Sequence, residues 1–281
     1  MRFLLHVSLA LLLLALSSTH AVAEPKFKPP AEDTPGLISF WDFQQPAGER
    51  FTAQGMGDFP LQEMEGVIER VEDGVFGKYS AKIRSGQWMR IPRDQLGPLD
   101  IHGPEAQVTL IAWIKRDAKN FWQSIAGIWD ETHKKRQYML FLNARARTNH
   151  ETMERDNCQD LIHGHVSSVG GPTPGYTVCR TYSSGKTPIP MGEWTMIAMT
   201  YDGQHSRVYV NGKLDAEEKY NPFPYDNGLF DGGKDGADFT IGANHVAGLQ
   251  NNNRFGGLMG GLAVFNRALT EEELLEYVAD E

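Results

Sequence analysis

Two histidines separated by one residue, in the run Leu161-Ile162-His163-Gly164-His165-Val166, carry the clearest chemical spacing in this chain. Residues two apart on a β-strand point to the same face, so both imidazoles are offered to one side while Gly164 opens room on the other. Such a pair can ligate a metal or contact a ligand on a concave face; two hydrogen-bonded histidines on a half-buried strand are the plain alternative. A metal site of this kind needs a downstream carboxylate, and none follows His165 until Glu193. Tyr176, Arg180 and Tyr182 lie at even spacings in the next strand candidate, Tyr176-Tyr182, and would share a face there. His163 or His165 as base, Tyr176 or Tyr182 as proton donor and Arg180 as carboxylate neutraliser could support a polysaccharide lyase without a pair of acidic residues. Cys158 and Cys179 bracket this region. With the two histidines they could complete a tetrahedral zinc site, or they could pair as a disulfide.

A second set of residues suits recognition. The stretch YNPFPYDNGLFDGGKDGAD, residues 220–238, mixes Phe223, Tyr225 and Phe230 with Asp226, Asp231, Asp235 and Asp238. Aspartates among flexible glycines can turn oxygens toward a hard cation, so Asp231, Asp235 and Asp238 are candidate calcium ligands, although their spacing is not that of an EF-hand. Flat aromatics beside Asp and Asn also build sugar sites by stacking on the pyranose and fixing its hydroxyls. Phe121-Trp122-Gln123 follows a loop and is the candidate exposed platform, while the Gly/Pro-rich loop from Val169 to Tyr176 is suited to wrapping a groove mouth. The expected glycan contact set is Trp122, Tyr138, His163, His165, Tyr176 and Tyr225. The mixed-charge stretch 144–156, with Arg145, Arg147 and Arg155, reads as a solvated loop. Motifs of serine hydrolases, zincins and nucleotide-binding loops are absent from the sequence.

These residues must be positioned by short strands. The chain has 281 residues, 41% hydrophobic, with 29 Gly and 15 Pro. That composition is globular and rich in turns, which points to an all-β fold. A net charge of −9 argues against a nucleic-acid partner. Residues 1–23 read as a secretory signal peptide: Arg2, a 14-residue, mostly apolar run from Phe3 to Leu16, and Ala21-Val22-Ala23 for cleavage. The run is shorter than the roughly 20 residues of a membrane span. The expected product is exported, and an oxidising compartment favours a Cys158–Cys179 disulfide. Residues 24–35, EPKFKPPAEDTP, read as an extended tether with little to bury, and residues 36–281 as one domain.

Within that domain, QVTLIAWIKR (107–116) is apolar on both faces and reads as a central strand covered on both sides. EWTMIAMTY (193–201), Arg207-Val210 and Lys213-Lys219, joined at Asp202-Gly203 and Asn211-Gly212, read as an antiparallel meander. Trp41, Trp88, Trp113 and Trp194 read as core. Only Glu271-Val278 has a helical pattern, with Thr270 and Glu273 forming a capping box. The fold class expected is all-β: a two-sheet antiparallel jelly-roll sandwich with one short C-terminal helix.

Several of these pieces, in order along the chain, resemble the laminin-G-like, concanavalin A-like lectin/glucanase jelly rolls. They are Ser39-Phe40-Trp41-Asp42-Phe43, Gly86-Gln87-Trp88-Met89-Arg90-Ile91-Pro92, Thr109-Leu110-Ile111-Ala112-Trp113-Ile114, Trp194 through Gly203, Val208-Tyr209-Val210-Asn211-Gly212, Ile241-Gly242 and Leu262 through Thr270. The resemblance spans the domain and implies the fold; it implies function less sharply, since this fold hosts lectins, adhesion modules and enzymes. Family members often carry an acidic pair where this chain has Gly260-Gly261, and an acidic residue where it has Gln44, so the family's calcium pattern is not matched at that end. The glucanase strand Glu-x-Asp-x-(x)-Glu is also missing; the nearest string is Glu154-Arg155-Asp156. The functional expectation is a secreted, non-catalytic glycan-binding module with no certain cofactor, calcium being possible. A glycosidase or lyase of the same fold and a protein-binding or structural domain are the alternatives.

Overall fold

The computed structural model describes residues 26–84, 86–244 and 253–279. The expected signal peptide, residues 1–23, lies outside them. Two large antiparallel sheets account for most of the described chain. The ten-stranded sheet runs Lys213–Leu214, His205–Val210, Trp194–Tyr201, Val108–Arg116, Gly257–Phe265, Leu37–Trp41 and Gln54–Gly55, with three short strands pairing off this path. The seven-stranded sheet runs Tyr182–Ser184, Leu161–Gly170, Lys135–Asn143, Trp122–Asp130, Phe239–Ile241, Trp88–Ile91 and Gln62–Met64. A separate hairpin pairs Ala146–Thr148 with Arg155–Asn157.

The sheets pack face to face because alternate residues of their strands are apolar. Val108, Leu110, Ala112 and Ile114 meet Tyr138, Leu140, Leu142, Ile162 and Val166 in one continuous core. Full burial of each large aliphatic side chain contributes about 1.5–3 kcal/mol. The central strand is apolar on its other face as well: Ile111 and Trp113 join Phe40, Met196 and Phe265 in a second cluster outside the ten-stranded sheet. The C-terminal helix Glu271–Leu275 covers that cluster through Leu274, and its N-terminus carries the expected capping box between Thr270 and Glu273. Among the four tryptophans expected in the core, Trp41 and Trp113 are fully buried, while Trp88 and Trp194 are half-buried.

The meander is present, and its Asn211-Gly212 turn has both residues at positive φ (48° and 78°), the conformation a two-residue hairpin requires. Two expectations fail locally. The described part of the 24–35 segment, from Lys26 on, is more than a tether: Phe27 is 3% exposed and bridges Val278, and the Lys28 amide donates to the Tyr277 carbonyl. An aromatic side chain in a Pro-rich stretch found an apolar face that the helix leaves partly open. Nor is Tyr176–Tyr182 a strand. Pairing begins only at Tyr182, because the Pro172–Pro174 stretch cannot join a ladder and the loop closes on itself, with Thr173 N donating to Val178 O and Tyr176 N to Thr173 O.

Candidate functional site

The alternation that sends Ile162 and Val166 inward sends His163 and His165 to the outer face of the seven-stranded sheet. Gly164 lies between them on the inner side. A Cβ there would stand 2.9 Å from Ser183 Oγ and 3.1 Å from both Met199 Cβ and Ser206 Oγ, so glycine permits close approach of the opposite sheet. The room opened by Gly164 is therefore filled by protein.

Neighbouring strands carry the matching outer residues. Phe141 pairs opposite His163, Met139 and Tyr182 opposite His165, and Ser184 on the other side of His163. His165 is consequently ringed by aromatics: Tyr182 at 4.8 Å in a stacked arrangement, Phe141 at 4.9 Å, Trp129 at 5.4 Å and Trp122 at 5.8 Å between ring centroids. His165 is 6% exposed, and neither of its ring nitrogens has a hydrogen-bond partner among the described residues. Burial, reinforced by the charge of Arg136, pushes its pKa down to about 3. His163 is fully buried and also held well below the usual imidazole range by desolvation, then by His165 and Arg147. Its Nε2 lies 3.0 Å from Ser184 Oγ and 3.3 Å from Asn143 Nδ2. Both imidazoles are neutral at physiological pH.

Two loops rise over this face and leave a groove of about 340 Å³. Trp122, Phe141, His165 and Tyr182 line it from the sheet, Arg145, Ala146 and Thr148 from one loop, and Val178, Cys179 and Arg180 from the other; Glu131 and Asn253 complete the lining. Tyr182 ties loop to sheet, its hydroxyl donating to Thr148 O and accepting from Thr148 N. Burial raises the Tyr182 pKa. Arg180 lies 4.3 Å over the Tyr176 ring.

The structure thus gathers Trp122, His165, Arg180 and Tyr182 at one groove, with His163 buried beside His165 on the same face. Tyr176 supports the wall through Arg180. Tyr138 is elsewhere: it is fully buried between the sheets with its hydroxyl donating to Leu99 O, because in a strand apolar on both faces alternation does not reveal which face is covered. Tyr225 lines a separate cavity of about 280 Å³, where its hydroxyl accepts from Ser168 N and pairs with Ser168 Oγ. There Tyr225 and Ser168 satisfy each other, whereas the groove leaves both ring nitrogens of His165 without a partner among the described residues. Arg145, Phe141 and Glu131 escaped the sequence reading. Phe141 shares the parity of Met139 in a strand apolar on both faces, the one signal that could have exposed it.

The expected disulfide is not formed. Cys158 and Cys179 are free thiols. Cys158 lies 3.4 Å from Asn143 Nδ2 and 3.9 Å from His163 Nε2, while Cys179 lies 3.2 Å from Thr181 Oγ1 and packs with Trp129, Met139 and Phe141. Each thiol has its own setting, and burial raises both, Cys158 to about 11. Neither a zinc set nor a calcium set is assembled: among the described residues no group of three His, Cys, Asp or Glu side chains could hold a metal ion. Asp238 accepts instead from Arg90 Nη1 and Arg93 N, Asp231 from Gly233 N, and Asp235 pairs with Lys234. No described helix is long and apolar enough to cross a membrane.

Known structures of low sequence identity share this architecture. Domain 4 of an extracellular GH43 arabinanase from Geobacillus stearothermophilus, in complex with arabinotriose, superposes with a TM-score of 0.53 at 16% identity, covering 86% of this chain and 98% of that domain. A Trypanosoma rangeli sialidase in complex with sialic acid gives 0.55 at 15% identity, but its match covers 87% of this chain and only 33% of the sialidase. The botulinum neurotoxin serotype G binding domain gives 0.51 at 10% identity, covering 85% of this chain and 50% of that one. At these identities the likeness is one of fold. No curated protein matches by sequence. The family model for the concanavalin A-like lectin/glucanases superfamily matches residues 85–275, and with both sheets of the sandwich in place this chain belongs to that superfamily.

Proposed function

We propose that this chain is a secreted, non-catalytic carbohydrate-recognition module whose saccharide seat is the groove on the outer face of the seven-stranded sheet. The observation that carries the reading is His165: buried, unpaired at both ring nitrogens, and lining the groove beside Trp122 and Tyr182. Leaving a buried polar group unsatisfied costs about 1–3 kcal/mol, a cost that a ligand hydroxyl would offset. A neutral imidazole offers one donor and one acceptor, the pattern that vicinal sugar hydroxyls match. Trp122, half-buried, supplies a flat apolar face for the pyranose. The arabinanase domain, whose structure holds arabinotriose, is a sugar-bound example of the fold and supports the same reading.

Recognition is favoured over turnover by the state of the two groups a lyase would use. A histidine at about 3 is a poor general base near neutrality, and the Tyr182 hydroxyl already serves Thr148. Export rests on the leader-like residues 1–23.

A glycan array probed with and without calcium tests the proposal. The chain is expected to bind at least one class of plant, algal or bacterial polysaccharide, and Trp122→Ala is expected to weaken that binding by about tenfold or more. Silence across all three classes would point to the protein-binding alternative. Unsaturated product released from a uronate polymer, and lost in His165→Ala, would establish the lyase instead.

A further inference from the structure

We infer that the groove selects saccharides bearing an anionic group, a carboxylate or a sulfate ester, and that Arg145 and Arg180 read that charge; the inference rests on the groove being the saccharide seat. In this acidic chain, many of the described arginines are matched to carboxylates. Arg70, Arg90, Arg93, Arg116, Arg207 and Arg267 each have a carboxylate oxygen within 3.0 Å. Arg145 and Arg180 line the groove from its two opposing loops, and neither has an acidic partner among the described residues.

Arg180 is held in place without its donors being used. Its guanidinium stacks over the Tyr176 ring at 4.3 Å, and among the described residues its Nη1 reaches only the Met153 sulfur, at 3.3 Å, and its buried Nε has no partner. A thioether is a weak acceptor, so this donor fork is oriented but largely unspent. Arg145 is exposed, and its fixed point is the backbone amide, which donates to Asn143 Oδ1 at 2.8 Å. Glu131, the acidic residue of the lining, accepts from Trp129 Nε1 at 3.3 Å. Two cations against one anion leave the groove locally positive on a chain of net charge −9. Planar guanidinium forks match carboxylate and sulfate oxygens in bidentate fashion, and desolvation inside a groove strengthens such contacts. The division of labour is then physical: Trp122 and His165 take the ring and its hydroxyls, and the two arginines take the charged substituent.

The test measures affinity of the full chain for two matched pairs of polymers: β-1,4-mannan and polymannuronate, dextran and dextran sulfate. Wild-type protein is expected to bind the acidic member of at least one pair about tenfold or more tightly than its neutral partner. The uronate and sulfate arms show which anion is read. In an Arg145→Gln/Arg180→Gln variant that keeps the wild-type melting temperature, the acidic polymer is expected to bind no more tightly than its neutral partner. Equal affinity within every pair, or a preference retained by the double variant, would overturn the inference and leave the groove as a neutral-sugar seat. Binding to no member of any pair would overturn the groove reading itself, and the inference with it.

Discussion

Lowering the pH from 6.5 to 4.5 is expected to destabilise the protein by about 2 kcal/mol through His165 alone, with His163 adding in the same direction. Both imidazoles are neutral when folded, His165 with a pKa of about 3, and both return to the ordinary value of 6.5 when the chain unfolds. Below pH 6.5 the unfolded state therefore binds protons that the native state refuses, and stability falls until the pH reaches the folded pKa. The paired carboxylates whose pKa is depressed, such as Asp73 and Asp202, begin from 3.8 and lose their contribution lower in pH. Glu154 and Glu272, depressed from 4.5, begin to contribute only at the lower end, so the histidines dominate the interval between pH 6 and 4.5. Urea midpoints across that interval are the measurement. A flat profile down to pH 4.5, followed by a fall at carboxylate pH, would show that the imidazoles are not desolvated as described.

Asp160→Ala is expected to cost about 3–5 kcal/mol, equivalent to roughly 10 °C in Tm. Asp160 is the carboxylate partner of Arg116, whose side chain is completely buried at the end of the central strand and also donates to Ile189 O. Removing the acid leaves an uncompensated guanidinium in the protein interior. Asp160 also stands at φ 58°, a conformation that Asp and Asn tolerate better than Ala. Asp160→Asn is therefore expected to lose less than Asp160→Ala. Combining Asp160→Asn with Arg116→Met is expected to recover part of the loss, since an apolar replacement removes the desolvation cost along with the pair. Thermal unfolding of the three variants checks the ordering. A loss below about 1 kcal/mol for Asp160→Ala would mean that water reaches Arg116.

The sandwich was legible because its strands state their environment. Residues 107–116 are apolar on both faces, and the structure covers both, one by the opposite sheet and the other by Trp113's cluster under the C-terminal helix. His163 and His165 were legible as a same-face pair because strand parity is local. What parity leaves open is which face is which, so Tyr138 fell on the core side and Phe141, three residues on, at the groove. Long-range partners were invisible for a related reason. Asp238 resembles a cation ligand until Arg90, 148 residues earlier in the chain, takes its carboxylate. Arg145 looked like a solvated loop charge because nothing local indicates that the hairpin beside it folds over the Tyr182–Ser184 edge. The cysteines misled through context, since an oxidising compartment makes pairing possible but does not bring Cys158 and Cys179 together.

The central claim is that His165 is buried at a cost to the fold because the groove uses it. Measuring melting temperature and polysaccharide affinity together in His165→Phe tests that directly. A phenyl ring fits among Tyr182, Phe141, Trp129 and Trp122 and removes both unpaired nitrogens. The expected result is a melting temperature equal to or above wild type with affinity reduced by about tenfold or more. A folded His165→Phe protein that binds polysaccharide as tightly as wild type would contradict the claim.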